Sequence, residues 1–145
     1  MDLSCIISDI VQSAITKGAK SVTISIFSDS DTLVRIECEG FEFPHLSDDM
    51  RSLGYEYILR GKHRISENFI EFVSDYPFGK IESFCVNILS SNPKLDEFRL
   101  IFTKNDNEYV FSRNETLVTL GDVYIGEYNV LNWIEEEIRT KIEAL

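Results

Sequence analysis

DIVQSAITKGAKSVTISI, residues 9–26, followed by TLVRIECEG, residues 32–40, is the stretch of sequence that decides the fold. Apolar residues recur at three- and four-residue spacing in its first part and just before it, which predicts an amphipathic helix from about residue 2 to 17. Gly18 stands where a C-cap glycine would end that helix. Two runs of alternating apolar and polar residues then predict two half-buried strands that are joined by a turn at 28–31 and end at Gly40.

The remaining sequence predicts three more helices and four more strands. In chain order these are a helix from 47–49 to Arg60, a short helix from Ser66 to Val73, a strand over 84–88 that also fits a helix leading into a strand, strands over 98–102 and 109–111, a last strand from Leu117 to Tyr124, and a C-terminal helix over 130–142. This order predicts a single α+β domain over residues 1–145. Its mixed or antiparallel sheet would be covered on one face by helices.

The chain is acidic. It has 145 residues, 43% of them hydrophobic, and carries 14 Lys and Arg against 25 Asp and Glu, for a net charge of −11. This composition predicts a packed globule with little direct affinity for DNA, because binding to a duplex needs clustered cations against the phosphates. The one local cluster of basic residues, over 60–64, is interpreted as a solvated loop or helix end.

The cysteines and the apolar runs bear on the compartment. Cys5, Cys38 and Cys85 are odd in number, far apart and set among apolar neighbours, which argues against a disulfide framework and against a CxxC metal site. They are predicted to be buried, reduced thiols, so we expect a reducing location, nuclear or cytoplasmic. The sequence shows neither a secretory signal nor an apolar run of about 18 residues, so no membrane association is expected.

The order of elements resembles the ATP-binding fold shared by gyrase, Hsp90, histidine kinases and MutL, the GHKL or Bergerat-type fold. Within that group it is most similar to the MutL family of mismatch-repair proteins. The family's first helix carries Glu and, four residues on, Asn, and here Asp9 and Ser13 fall at those positions. Residues i and i+4 lie on one helix face. Gly18, Ala19 and Lys20 fall in the family's connector.

Three later motifs extend the resemblance over nearly the whole chain, although none of them is intact. CEGFE at 38–42 takes the place of Asp-Asn-Gly-x-Gly, whose Asp receives the adenine amino group. PFGKI at 77–81 matches the family's phosphate-binding segment, which holds phosphate with backbone amides at a helix start. Thr116 begins the family's last strand pattern, but the basic cluster that follows it in the family is lost. The transducer and the C-terminal dimerisation and endonuclease regions have no counterpart.

The resemblance implies a set of candidate site residues. Asp9 would be the general base, and Ser13 would offer Mg²⁺ a hydroxyl oxygen. The candidate nucleotide contacts are Ser13, Cys38, Gly40, Phe78, Gly79, Lys80 and Thr116. Asp9 is one methylene shorter than the family's Glu, so its reach is reduced by about 1.5 Å. Cys38 stands where the family has the Asp that receives the adenine amino group, and a thiol is a weak hydrogen-bond acceptor. Three structural readings stay open beside these roles: Asp9 and Ser13 as the polar face of a helix, Cys38 as a core residue, and Gly79 with Lys80 as an ordinary turn.

Three functions follow as expectations. The first is a reduced, ATPase-deficient MutL-like scaffold that acts through a MutL homologue or another repair or recombination protein, with no bound cofactor. The second is a weak Mg²⁺-dependent ATPase or nucleotide switch, with Asp9 as the base and Gly79-Lys80 at the phosphate. The third is an unrelated α+β interaction module. The apolar face of the C-terminal helix, widened by Trp133, would pack on the sheet or on a partner.

Overall fold

The computed structural model describes residues 2–43, 53–76 and 78–145. Within these ranges the chain forms five helices and six strands. In order they are α1 (Leu3–Thr16), β1 (Ser21–Ser28), β2 (Thr32–Glu39), α2 (Leu53–Arg60), β3 (His63–Ile65), β4 (Phe69–Ser74), α3 (Ile81–Ser91), β5 (Glu97–Lys104), β6 (Asn107–Ser112), α4 (Arg113–Leu120) and α5 (Tyr128–Glu143).

All six strands form one mixed sheet in the order β3-β4-β2-β1-β5-β6. The β1–β5 pair is parallel and the other pairs are antiparallel. A parallel neighbour needs a long crossover connection, and here the chain between β2 and β5 supplies it. The predicted α+β class with a mixed sheet is therefore confirmed.

One face of the sheet carries the core. Ile24 on β1 lies opposite Ile36 on β2 and Leu100 on β5, and all three side chains are fully buried. Helices α1, α2, α3 and α5 contact one another in a chain and form a layer over this face. The alternate residues point the other way and are more polar: Arg35 lies between Glu37 and Glu71, with its guanidinium 4.0 Å from the ring centre of Phe69.

Three of the predicted elements are wrong. The segment from Ser66 to Val73, predicted as a helix, contains strand β4, in which Ile70 and Phe72 alternate with less buried neighbours. Residues 84–88, predicted first as a strand, lie inside helix α3, whose buried residues recur at helical spacing, so the alternative of a helix leading into a strand is the correct one. The last strand, predicted from Leu117 to Tyr124, is absent: its first half, 117–120, lies in helix α4, and 121–124 form neither helix nor strand. The N-cap of α4 is Ser112, whose hydroxyl accepts a hydrogen bond from the Glu115 N–H.

Other expectations hold in part. The helix predicted to end at Arg60 does end there, but the capping residues predicted at 47–49 lie outside the described residues. Cys38 and Cys85 are buried free thiols, whereas Cys5 is exposed. Within the described ranges no helix has both the length and the apolar character to cross a bilayer.

Candidate functional site

Two glycines from the segments of MutL resemblance meet at the end of β2. The φ of Gly40 is +84°, and a Cβ at this position would lie 2.9 Å from the carbonyl oxygen of Gly18. The Lys20 N–H donates to the Glu39 carbonyl at 2.8 Å beside this contact. The connector after α1 and the end of β2 thus pack backbone against backbone, which only a glycine allows at Gly40.

A cavity of about 740 Å³ opens at this end of β2. It is lined by Lys17, Cys38, Glu39, Gly40, Phe41, Glu42, Glu67 and Asn68. Two of the candidate nucleotide residues, Cys38 and Gly40, are therefore brought together. The lining also holds three carboxylates and one ammonium group, a balance that repels a polyphosphate through simple Coulomb interaction.

The Cys38 side chain is part of the core. It is 4% exposed, and its burial, followed by the nearby charge of Glu37, raises the pKa of its thiol to about 12. The thiol therefore stays neutral at physiological pH, so it lacks the thiolate that a nucleophile needs. A neutral thiol is also a poor acceptor for an adenine amino group.

The two candidates on α1 lie away from its core-facing side. Leu3, Ile6, Ile7, Ile10, Val11 and Ala14 are all buried, so this side of α1 packs closely into the core. Asp9 is exposed, and Ser13 is half-buried. The Ser13 backbone carbonyl accepts from the Lys17 N–H near the end of the helix. Asp9 and Ser13 thus belong to the outer polar side of an amphipathic helix.

The start of α3 is occupied by the chain's own N-terminal segment. Gly79 has φ +88°, and a Cβ there would lie 2.6 Å from a carboxylate oxygen of Asp2. A hydrogen bond from the Ser4 hydroxyl is the largest cause that lowers the pKa of Asp2, so this carboxylate is ionised near neutral pH. A negative charge beside the α3 N-terminus opposes the binding of a phosphate there.

The neighbours of Gly79 also have structural roles. The carbonyl of Phe78 accepts a hydrogen bond from the Ser4 N–H at 3.2 Å, and its ring packs edge-on against Phe84 with 5.6 Å between ring centres. Lys80 is the N-cap residue of α3, and its side chain makes no capping hydrogen bond. Phe78 therefore joins the N-terminal segment to the core.

Thr116 lies at the opposite side of the sheet from Cys38. It is on α4, directly after β6, whereas Cys38 is on β2, three strand positions away. At roughly 4.8 Å per strand, the two strands are separated by about 14 Å. The structure therefore does not bring Thr116 together with the cavity at the end of β2.

Thr116 instead lines a groove of about 210 Å³ along the outer edge of β6. The floor is β6 itself, and the walls come from α4 and α5. The lining residues are Tyr109, Val110, Phe111, Ser112, Glu115, Thr116, Thr119, Trp133 and Glu137. The sequence predicted the return strand and placed Trp133 on an apolar helix face. It did not predict the groove, because the α4 wall was assigned to a strand.

On the side of this groove, β6 makes no backbone hydrogen bond to any residue that the structure describes. Asn105 and Asp106 form a two-residue turn with both φ angles positive, 51° and 64°, so the turn is closed by the Lys104–Asn107 pair. Alternation along an antiparallel ladder then directs the N–H and C=O groups of Glu108 and Val110 away from β5. Because β6 is the last strand of the sheet, these groups face the exterior.

The groove combines aromatic surface with negative charge. The Trp133 side chain is 41% exposed, and Tyr109 is half-buried beside it. Burial is the main cause that raises the pKa of Tyr109, and the nearby Glu137 carboxylate adds to the increase. Glu115 and Glu137 line the groove, and none of the described residues that line it is Lys or Arg.

Among the residues that the structure describes, no group of three or more His, Cys, Asp or Glu side chains is arranged to hold a metal ion. No protein-family model matches the sequence, and no curated protein matches it significantly.

Proposed function

We propose that this chain is a non-catalytic scaffold that acts through contacts with protein partners. The observation that carries the proposal is the separation of the candidate nucleotide residues. Asp9 lies on the outer side of α1, Cys38 is a neutral core thiol, Gly79 packs against an ionised carboxylate, and Thr116 belongs to another edge of the sheet. Phosphoryl chemistry depends on groups that converge on one phosphate and one metal ion.

The scaffold also has a surface that suits a protein partner. Aromatic residues are enriched where proteins bind one another, and an unpaired strand edge offers main-chain donors and acceptors. The β6 edge has both, through Trp133 and the outward groups of Val110. A net charge of −11 favours partners that carry positive charge.

The narrower form of the proposal is a reduced, ATPase-deficient MutL-like protein on a GHKL-type fold, nuclear or otherwise associated with repair or recombination proteins, with a MutL homologue as its partner. Two features support it: the order α1-β1-β2 with an antiparallel strand pair, and the contact of Gly18 with Gly40, which unites the connector with the family's glycine motif. A single helical layer on a mixed sheet is also what the resemblance implies.

Calorimetric titration with Mg-ATP tests the scaffold function, with the Asp9→Ala variant as the control. We expect no binding by either protein up to millimolar nucleotide. Micromolar binding by the wild type that Asp9→Ala weakens would contradict the proposal and support the weak ATPase or nucleotide switch. If the wild type and the Asp9→Ala variant bind Mg-ATP equally well, the proposal of a scaffold without bound nucleotide is also contradicted. The nucleotide site would then lie away from α1.

A further inference from the structure

We propose that the outer edge of β6 binds an extended, basic segment of a partner protein, which adds a seventh strand to the sheet. The segment would lie in the groove between α4 and α5. This inference rests on the proposed scaffold function and gives it a surface and a class of partner. Three features of this edge support the inference: the outward backbone groups of β6, the aromatic wall of the groove and the negative charge around the groove.

The two edges of the sheet differ in how they are protected. The β3 edge is only three residues long and carries His63 and Arg64, and the Arg64 guanidinium lies 3.5 Å from the Glu71 carboxylate. Short, charged edge strands are typical of edges that avoid pairing. The β6 edge has six residues, no proline and outward groups at Glu108 and Val110. An added strand would satisfy those groups and gain main-chain hydrogen bonds.

The side chains of an added strand would alternate between two environments. Those on the helical side would meet Trp133 and the ring of Tyr109, which form an apolar wall. Those on the opposite face would lie beside Val110 and, one step along, Glu108. The segment is therefore expected to carry apolar residues at every second position. Apolar side chains at these positions would cover the exposed Trp133 ring and remove its apolar surface from water.

Charge selects a basic segment over a second copy of this chain. Glu115 and Glu137 line the groove and Glu108 lies on its floor strand, with no cation among the lining residues. The Arg139 guanidinium, also on α5, lies 2.8 Å from Glu135 and contacts Glu136. Pairing of two β6 edges would bring the Glu108, Glu115 and Glu137 carboxylates of two copies to one interface, where like charges repel. Lysine or arginine in a partner segment would instead be attracted, to Glu108 on the face that Val110 shares and to Glu115 and Glu137 across the narrow groove.

The probe is a ten-residue peptide of alternating Lys and Val, titrated while the fluorescence of Trp133 is followed. Trp133 is the single tryptophan of the chain, so its emission reports on the groove directly. We expect saturable binding with a blue shift of the emission. A peptide of alternating Glu and Val should bind at least about tenfold more weakly. So should a Lys-Val peptide in which a central Lys and the Val next to it are both replaced by Pro, because one of these two neighbouring N–H groups faces β6 in either strand direction and proline lacks the N–H that pairing needs.

Protein variants, followed by calorimetry, separate strand addition from simple charge attraction. Val110→Pro removes an outward N–H while leaving the β5 ladder intact, and it should weaken the Lys-Val peptide about tenfold or more relative to Val110→Ala. Glu137→Lys should weaken binding about tenfold, whereas Glu143→Lys on the same helix, outside the groove, should not. Because the charge variants do not alter the strand backbone, they keep the test valid if Val110→Pro fails to fold.

Three results would overturn the inference. They are equal binding of the Lys-Val and proline peptides, no binding of either, and concentration-dependent dimers that the peptide does not dissociate. Each leaves the Mg-ATP test untouched, so the scaffold function can stand while the β6 site fails. Nucleotide binding would instead contradict the scaffold function whatever the peptide does.

Discussion

The end of β2 and the outer edge of β6 differ in whether their backbone groups contact the rest of the chain or face the exterior. At the end of β2, Gly40 packs on Gly18, the Glu39 carbonyl is hydrogen-bonded, and the Cys38 thiol is buried. Along β6, the outward groups of Val110 face the exterior beside an exposed tryptophan. At the end of β2 the backbone contacts are thus made within the chain, whereas the edge of β6, whose groove Thr116 lines, presents outward groups that no described residue contacts through a backbone hydrogen bond.

The largest effect is expected from Gly40→Ala. The residue must hold φ +84°, and its new Cβ would lie 2.9 Å from the Gly18 carbonyl oxygen. A non-glycine residue in such a conformation costs about 1–3 kcal/mol, and the close contact adds to this. We expect the free energy of unfolding, measured in urea, to fall by about 2–3 kcal/mol.

Gly121→Ala is the matched control for that contact. Gly121 has a similar φ of +89°, but a Cβ there would meet nothing within 4 Å. It should therefore lose only the conformational part, so its loss should be about 1 kcal/mol smaller than that of Gly40→Ala, which also has the close contact. Equal losses in the two variants would show that the approach of Gly18 to Gly40 contributes nothing, and the end of β2 would then be less closely packed than described.

The second effect concerns Cys38 and alkaline pH. Its pKa is raised by burial from 9.0 to about 12, so the unfolded chain loses this proton at lower pH than the folded chain. The unfolded state then binds fewer protons, and stability falls as pH rises above about 9. Between the two pKa values the decline from this thiol should approach about 1.4 kcal/mol per pH unit.

Cys38→Ala isolates that contribution. Urea denaturation at a series of pH values above 9 should give a shallower decline for the variant than for the wild type. Cys85 and Tyr109 remain in both proteins, and burial raises the pKa of each, so their contributions cancel in the difference. Identical slopes would mean that Cys38 is ionisable in the folded chain, and the end of β2 would be accessible to solvent and to reagents.

The smallest effect is expected from Trp133→Ala. Trp133 is 41% exposed, so part of its ring is already buried and its removal should lower the free energy of unfolding by about 1–2 kcal/mol. Tyr128→Ala, on the same helix and 74% exposed, should lower it by less. A loss of several kcal/mol for Trp133 alone would identify it as a core residue, and the groove would lose its proposed binding wall.

The elements that were predicted correctly are those in which one periodicity dominates. α1 has buried residues only at helical spacing, and the apolar residues Val22, Ile24 and Ile26 of β1 and Val34, Ile36 and Cys38 of β2 fall at every second position. In α3 the residues Phe84, Val86 and Ile88 imitate alternation, although burial at Ile81, Phe84, Cys85 and Ile88 follows a helix. In β4, apolar residues on both faces hide the strand period.

The candidate groove could not be predicted for a related reason. Its α4 wall has no buried residue in the described structure, and β-branched Thr116, Val118 and Thr119 favour a strand on propensity. Only the Ser112 cap, which bonds both the Glu115 N–H and the Glu97 carboxylate, identifies the helix start. The sequence predicted the return strand over 109–111, and it predicted that the helix face with Trp133 packs on the sheet or on a partner. It could not predict that this strand and Trp133 lie together at one edge of the sheet, because that depends on tertiary packing.

The most direct test of the account is an amide NMR titration of one ¹⁵N-labelled sample, first with Mg-ATP and then with the Lys-Val peptide. We predict no shifts around Cys38 to Gly40 with nucleotide, and peptide-dependent shifts for Glu108, Val110 and the Trp133 indole N–H. Nucleotide-dependent shifts at the end of β2, with an unresponsive β6 edge, would contradict the account and restore the nucleotide-binding role.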